Sequence, residues 1–208
     1  MNEMVEKVVE QLNSKKFNAC FCGSREELLS KIAEIIGEAA KIARGASVTL
    51  DQIGFNDFIE KKLGKTLYDG WRNKGHDMTR REEFRASLCS DVYVSGTNAI
   101  TEKGELVFVD GTGNRVAALS YGPEKVIIVS STSKIVKNYS AALTRVKQIA
   151  APKNAVRLNF TENPCMQTGK CMNCQVPTRM CNLHLHMQYP PKGTEYHVLL
   201  VEIGRASC

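Results

Sequence analysis

Residues 91–115 read DVYVSGTNAITEKGELVFVDGTGNR and twice run an apolar strand into a glycine turn. Glycine tolerates positive φ and lets a ligand approach closely, so such turns can aim backbone amides at an anion. A helix that begins after the second turn would add its positive dipole end. The predicted ligand-binding residues are Gly96, Thr97 and Asn98 in the first turn and Gly111, Thr112, Gly113, Asn114 and Arg115 in the second. The stretch therefore predicts a cradle for a small anion, a carboxylate or a phosphate, and two tight turns without a ligand are the alternative.

Two side chains of the second turn have distinct predicted roles. Asp110 begins the turn and is expected to accept hydrogen bonds from the turn's own amides. Arg115 carries a planar guanidinium that could instead clamp a carboxylate or phosphate through two parallel bonds.

Strands and helices alternate along the rest of the chain. Helical spacing is found at 3–14, 24–40, 54–63, 79–90, 116–121 and 140–150, and apolar strands are predicted at 17–22, 47–50 and 126–129. Ser24 with Glu27 and Thr79 with Glu82 are predicted capping boxes. Strands that are apolar throughout indicate an α/β fold with a mainly parallel sheet covered on both faces. The runs 183–187 and 197–203, separated by Pro190–Gly193, are interpreted as a closing strand pair.

Composition excludes several classes of protein. The 208 residues are 43% hydrophobic and 24% charged, as in soluble proteins, and no run of eighteen apolar residues could cross a membrane. Glu3, Glu6 and Glu10 argue against a signal peptide, so a cytoplasmic location is expected. The net charge of +6 is scattered and aromatic content is only 7%, which argues against nucleic-acid binding. A homo-oligomer stays open.

Eight cysteines in a chain without a leader are expected to be thiols rather than a disulfide framework. Cys165, Cys171, Cys174 and Cys181 fall in one short segment, and four thiolates suffice for a zinc ion or an iron–sulfur cluster. The spacing matches neither a zinc ribbon nor a ferredoxin, so the metal stays open, as does the alternative of packed free thiols. Cys208 is the last residue and stays without an assigned role.

The motifs TNAITEKGELVFVDGTGNRVA, GPEKVIIV and AAPKNAVRL resemble those of the LUD-domain family, lactate-utilisation proteins of the LutC or YkgG type. The run PCMQTGKCMNCQVPTRMCN is similar to a subgroup with a cysteine-rich C-terminal segment. The resemblance implies a three-layer α/β/α fold like that of the ribose-phosphate isomerase, glucosamine-phosphate deaminase and CoA-transferase group. It divides the chain into an α/β domain at 1–160 and a cysteine-rich part with closing strands at 161–208, expected to belong to the same domain.

Three functions follow from these observations. The resemblance implies a subunit that works with iron–sulfur partner proteins in the oxidation of lactate or a similar hydroxy acid. A small-anion-binding or assembly module with a structural zinc knuckle is the second, and an acyl or CoA transferase or an isomerase that uses Glu102 as base or nucleophile is the third. No Gly-x-Gly-x-x-Gly motif is completed, so no nucleotide cofactor is predicted. Whether the protein is an enzyme by itself stays open.

Overall fold

The computed structural model describes residues 2–72 and 78–202. The strands in these ranges are β1 Asn18–Cys22, β2 Ile42–Arg44, β3 Leu67–Tyr68, β4 Val92–Ser95, β5 Ala99–Thr101, β6 Leu106–Asp110, β7 Lys125–Ser131, β8 Ile135–Val136, β9 Leu183–Met187 and β10 Glu195–Val201. The α-helices there are α1 Glu3–Ser14, α2 Arg25–Ile36, α3 Val48–Gln52, α4 Phe55–Asp57, α5 Arg80–Leu88, α6 Asn114–Ser120, α7 Tyr139–Arg145, α8 Ala151–Arg157 and α9 Pro164–Thr168. Two π-helical turns extend α4 and join α7 to α8, at Phe58–Lys62 and Val146–Ala150.

The strands form two sheets. Six strands make a parallel sheet in the order β1-β10-β7-β4-β2-β3. Four others make a smaller mixed sheet in the order β8-β5-β6-β9. This arrangement confirms the predicted α/β class with a mainly parallel central sheet.

Side chains of the parallel sheet alternate between two cores. In β7, Ile127 and Val129 join a core with α2, α3 and α4, whereas Val126 and Ile128 join a core with α1, α6 and the smaller sheet. Because successive side chains of a strand point to opposite faces, an entirely apolar strand needs cover on both sides. The central sheet is therefore the middle of three layers.

Local signals place the helix starts. The side chain of Thr79 and that of Glu82 cap each other's amides as the predicted capping box requires. Ser24 caps the amide of Glu27, but the Glu27 carboxylate accepts from the amide of Gly23 rather than from that of Ser24. Both helices start where the sequence predicts.

Three local predictions are wrong. Residues 47–50 begin helix α3 rather than form a strand, because the Ser47 hydroxyl caps the amide of Leu50; the strand in this region is β2. The closing strands do not pair with each other: β9 pairs with β6, and β10 lies between β1 and β7. The helix predicted to stop before Pro152 continues as α8, because the preceding π-helical turn accommodates a residue that lacks an amide hydrogen.

The described part of residues 161–208 supplies a strand to each sheet of residues 1–160. Residues 161–182, which connect α8 to β9, are called the cysteine segment below. Ile203, the predicted end of the last strand, and Cys208 lie outside the described residues. No helix within the described ranges has the length and apolar character that crossing a membrane requires.

Candidate functional site

A cavity of about 380 Å³ lies at the carboxyl ends of three adjacent strands, β2, β4 and β7. Ser47 follows β2, Gly96 follows β4 and Lys134 follows β7, and all three residues line the cavity. Because parallel strands end at one edge of the sheet, their following loops meet there, which is the usual ligand position in open α/β folds. The turn after β6, in the smaller sheet, completes this side of the cavity.

The structure brings the two predicted turns together at this cavity. The Asn98 side chain accepts a hydrogen bond of 2.9 Å from the amide of Val109, which joins the first turn to the strand before the second. The predicted residues that line the cavity are Gly96, Thr97, Asn98, Gly111, Thr112, Asn114 and Arg115. Gly113 is not one of the described lining residues.

Asp110 has the role predicted for it. Its carboxylate accepts from the amides of Gly111 at 2.9 Å, Arg115 at 3.1 Å and Val116 at 3.2 Å. These amides would otherwise be the donors at the start of α6. Asp110 thus occupies these three amides, so an anion at this end of the cavity would be held by side chains and by the other donors of the turn.

Arg115 positions the first turn. Its Nη2 donates to the Asn98 side chain at 3.1 Å and also to the carbonyl of Val109. Both hydrogens of Nη2 are used, whereas a bidentate contact with a carboxylate or phosphate needs one of them. In this geometry Arg115 offers single hydrogen bonds from Nε or Nη1 together with its charge, and the predicted clamp would require one existing bond to break.

The glycines of the turns serve different purposes. Gly113 has a φ of 92°, which favours glycine. Gly96 is needed for space, because a Cβ there would lie 2.5 Å from the Ser47 hydroxyl. The close approach of the turn after β4 to the start of α3 thus depends on Gly96.

The cavity has a positive lining. Lys134, Arg115, Arg157 and Arg179 line it, and Asp110 is the one carboxylate among the described lining residues. Lys134 is 1% exposed, and its ammonium donates to the Thr97 carbonyl at 3.0 Å and to the Thr49 hydroxyl at 3.3 Å. This excess of positive charge favours an anionic ligand.

Three of the four cationic residues, Lys134, Arg157 and Arg179, were not predicted from the sequence. Lys134 had a usable signal, since it lies three residues after the end of the apolar strand β7, at the edge where ligands bind in such sheets. Arg157 ends α8 and Arg179 lies in the cysteine segment, and neither has a local pattern that indicates a site. Only packing of these segments against the strand ends brings the two arginines to the cavity.

Glu102, the predicted catalytic residue, lies outside the described lining of the large cavity. It sits in the turn between β5 and β6, where its amide donates to the carbonyl of Val136 at 2.8 Å. The same turn packs on the end of α1, because a Cβ on Gly104 would lie 2.8 Å from the backbone of Gln11 and Leu12. Glu102 is not among the described residues that line the cavity.

The four predicted metal-ligating cysteines surround one small pocket. Cys165, Cys171, Cys174 and Cys181 all line a space of about 20 Å³, room for about one water-sized occupant. Asn173, at a φ of 49°, turns the chain between two of these cysteines, and its amide lies 3.4 Å from the Cys171 sulfur. In the described ranges, however, no three histidine, cysteine or acidic side chains are grouped closely enough to hold a metal ion.

Two of the four thiols, those of Cys165 and Cys181, have pKa values above the ordinary value for cysteine. Burial raises the pKa of Cys181 to about 11, and the neighbouring Cys171 and Cys165 add to this rise. Burial followed by the neighbouring Cys174 and Cys171 raises the pKa of Cys165 as well. A cation among these sulfurs would reverse the repulsion between thiolates. The donor set and the size of the pocket fit a single soft ion, provided that the sulfurs move closer together.

The small pocket and the large cavity share a wall. Ala151, Arg179, Met180 and Cys181 line both. The wall is anchored on the turn after β6, since the amide of Asn182 donates to the Asp110 carbonyl and the Asn182 side chain to the Gly111 carbonyl, each at 3.0 Å. The position of the cysteine segment therefore shapes one side of the cavity.

Comparison with known proteins identifies the family. The model of the LUD domain family matches residues 5–201. No protein with a curated functional description matches the chain. A DUF162 family protein from Deinococcus radiodurans, known from a crystal structure, aligns with a TM-score of 0.56 and 13% identity over 96% of each chain, a likeness of fold alone. Since the family match spans almost the whole chain, the protein belongs to the LUD domain family, and this membership supports a general role in lactate utilisation.

Proposed function

We propose that the protein binds a small organic acid, lactate or a similar hydroxy acid, at the carboxyl ends of β2, β4 and β7. The positive lining of the 380 Å³ cavity carries this proposal. The negative charge of Asp110 is stabilised by hydrogen bonds from three backbone amides, so Asp110 does not need the cationic side chains as partners. These side chains can therefore attract a carboxylate. Lys134 supplies a buried charge at the strand ends, and Arg157 supplies a charge on α8.

Isothermal titration calorimetry with L-lactate, pyruvate and inorganic phosphate tests this proposal. We expect a carboxylate to bind, and Lys134→Met to weaken its binding by about 10- to 100-fold, because a hydrogen bond to a charged group is lost from a buried site. Circular dichroism of this variant separates loss of binding from loss of folding. No binding of any of the three anions by the folded wild-type protein would overturn the proposal.

A surface variant offers a second test that does not disturb the core. Arg157→Gln should weaken carboxylate binding by roughly threefold, because a solvent-facing charge contributes well under 1 kcal/mol. Lys153→Gln is the matched control, since Lys153 is also exposed on α8 but does not line the cavity. Equal affinities of the two variants would remove Arg157 from the site.

The cysteine segment supports a second proposal, a single zinc ion held by Cys165, Cys171, Cys174 and Cys181. The observation that favours it is the convergence of all four thiols on a pocket with room for one ion. Zinc bound by four thiolates would act structurally, by fixing the chain between α9 and β9. An iron–sulfur cluster at the same sulfurs would instead supply one-electron chemistry and would need more room than the present pocket offers.

Anaerobic purification followed by metal analysis and an absorption spectrum distinguishes a zinc ion from an iron–sulfur cluster. We expect about one zinc per chain with no visible absorption, and a higher melting temperature with zinc than with a chelator. Replacing Cys171 and Cys174 with serine should abolish that difference, whereas Cys89→Ser, at an exposed cysteine outside the pocket, should preserve it. Stoichiometric iron and sulfide would show that the site holds an iron–sulfur cluster rather than zinc. A metal-free protein would overturn both assignments.

Cooperation with iron–sulfur partner proteins in hydroxy-acid oxidation stays a prediction. The oxidation of lactate to pyruvate releases two electrons and two protons, so an electron acceptor is required. The test is co-purification of the tagged protein with iron-containing subunits from its native cells, and failure to recover any would count against the partnership.

A further inference from the structure

The lining of the large cavity changes from one side to the other. The strand-end loops contribute mostly polar residues, including Ser47, Asn98 and Lys134. The segment from the π-helical turn to just beyond α8 contributes the polar Asn154 and Arg157 but mainly apolar residues, which are Val146, Ala150, Ala151, Leu158 and Phe160. A ligand that fills the cavity thus meets polar groups on one side and an apolar wall on the other.

The apolar wall is held in place by its own contacts. The amide of Phe160 donates to the carbonyl of Ala155 at 3.0 Å, which fixes Phe160 directly after α8. Met180 approaches from the cysteine segment, and its sulfur lies 3.2 Å from the Asn154 side chain. Val146 and Ala150 are each 2% exposed. A wall fixed in this way requires no rearrangement to accept an apolar group.

The volume is larger than a three-carbon acid needs. A cavity of 380 Å³ falls in the range of pockets that enclose drug-sized ligands, of about 300–1,000 Å³. Lactate has only a methyl group beyond its carboxylate and hydroxyl. Bound at the cationic strand ends, it would leave the half-buried side chains of Leu158 and Phe160 in contact with water, which is unfavourable.

The geometry points to a 2-hydroxy or 2-oxo acid with an extended apolar tail as the ligand. The carboxylate lies at the strand ends near Lys134, and the tail lies along Leu158 and Phe160. This inference rests on the proposed organic-acid site and specifies the substrate class of that site. Each methylene group buried against the wall should tighten binding roughly fourfold.

Calorimetry with three acids that share one head group tests the inference. L-Lactate, 2-hydroxyhexanoate and gluconate are titrated into the wild-type protein; gluconate matches the chain length of 2-hydroxyhexanoate but has a polar tail. We expect 2-hydroxyhexanoate to bind about 10- to 60-fold more tightly than lactate, by burial of its additional methylene groups, and gluconate to bind no more tightly than lactate.

Substitutions in the apolar wall test whether the preference for 2-hydroxyhexanoate over lactate arises in the cavity. Leu158→Ala and Phe160→Ala should each reduce the ratio of the 2-hydroxyhexanoate and lactate affinities by at least about threefold, since each removes several buried carbons. Val156→Ala should leave the ratio unchanged, because Val156 is on the same helix, 56% exposed and not among the described lining residues.

The outcomes separate this inference from the proposed function. Lactate binding without a preference for the longer acid, or equal affinity for gluconate and 2-hydroxyhexanoate, would overturn the apolar tail and leave the organic-acid site intact. Binding of none of the three acids would overturn both.

Discussion

The large cavity and the cysteine segment share a wall but are held in place by different kinds of interaction. The cavity residues at the strand ends are fixed by the register of the parallel sheet and by buried bonds such as that from Lys134 to the Thr97 carbonyl. The segment between α9 and β9 contains no strand or helix and has half-exposed thiols. Its backbone is tied down at a few points, including the bond of 2.8 Å from the Cys171 amide to the Lys147 carbonyl.

This difference teaches where a ligand contributes to structure. The cavity is already built, because Asp110 is bonded to three amides of its turn and Lys134 to the Thr97 carbonyl. The cysteine segment has its four thiols around one pocket but not at bonding distance, and the raised pKa values of Cys165 and Cys181 disfavour their thiolates without a cation. Binding is expected to add affinity at the first site and folding free energy at the second.

The largest effect is expected at Asp110, which organises the cavity turn. Asp110→Ala should lower the free energy of unfolding by about 2–3 kcal/mol, because it leaves the amides of Gly111, Arg115 and Val116 without an acceptor. Asp110→Asn keeps one acceptor oxygen and should cost roughly half as much. Urea denaturation measures both changes, and a loss below about 0.5 kcal/mol in the alanine variant would show that the turn does not depend on its cap.

A smaller effect should appear in the pH dependence of the metal-free protein. The pKa of Cys181 is about 11 in the folded chain and 9.0 in its reference state. Because folding raises this pKa, the folded state favours the neutral thiol; its contribution to stability is complete below pH 9 and is lost as the pH rises to 11.

Denaturation with chelator and reductant at both ends of this range provides the test. Cys181→Ser should flatten the decline in stability, since serine does not titrate there, whereas Cys89→Ser should keep it. An unchanged slope in the Cys181 variant would mean that the thiol is not buried among its neighbours as described.

The smallest effect is expected at Glu102. Glu102→Gln should change carboxylate affinity less than about twofold, because Glu102 lies outside the cavity and only solvent-screened charge effects reach it. The same titration calorimetry measures this change. A loss of tenfold or more would return Glu102 to the site, and with it the transferase or isomerase hypothesis.

Much of the fold could be predicted from local patterns. The strands β4, β6 and β7 are apolar runs that end at a serine or just before a glycine, and the Thr79 capping box places the start of α5. One error arose where a short apolar run is compatible with either a strand or a helix. Residues 47–50 can be a strand or a helix by apolar pattern alone, and the cap from Ser47 decides for the helix.

Less of the site could be predicted, because most of it depends on contacts between distant segments. The two glycine turns are visible in the sequence, yet Lys134, Arg157 and Arg179 reach the cavity from three other segments. The bonding of Asp110 to amides of its own turn was predicted, but only the structure shows which amides it occupies, those of Gly111, Arg115 and Val116.

The sequence by itself determined the α/β class, the two turns and the family, because alternating apolar periodicity and short motifs are local properties. Only the tertiary structure decided which strands are neighbours, that β9 and β10 enter different sheets, and that Glu102 lies in a turn outside the described lining of the cavity. It also decided that the four cysteines line a pocket beside the large cavity. The physical reason is that strand order and loop packing depend on the burial of apolar faces formed by residues far apart in the chain, which no local window of sequence contains.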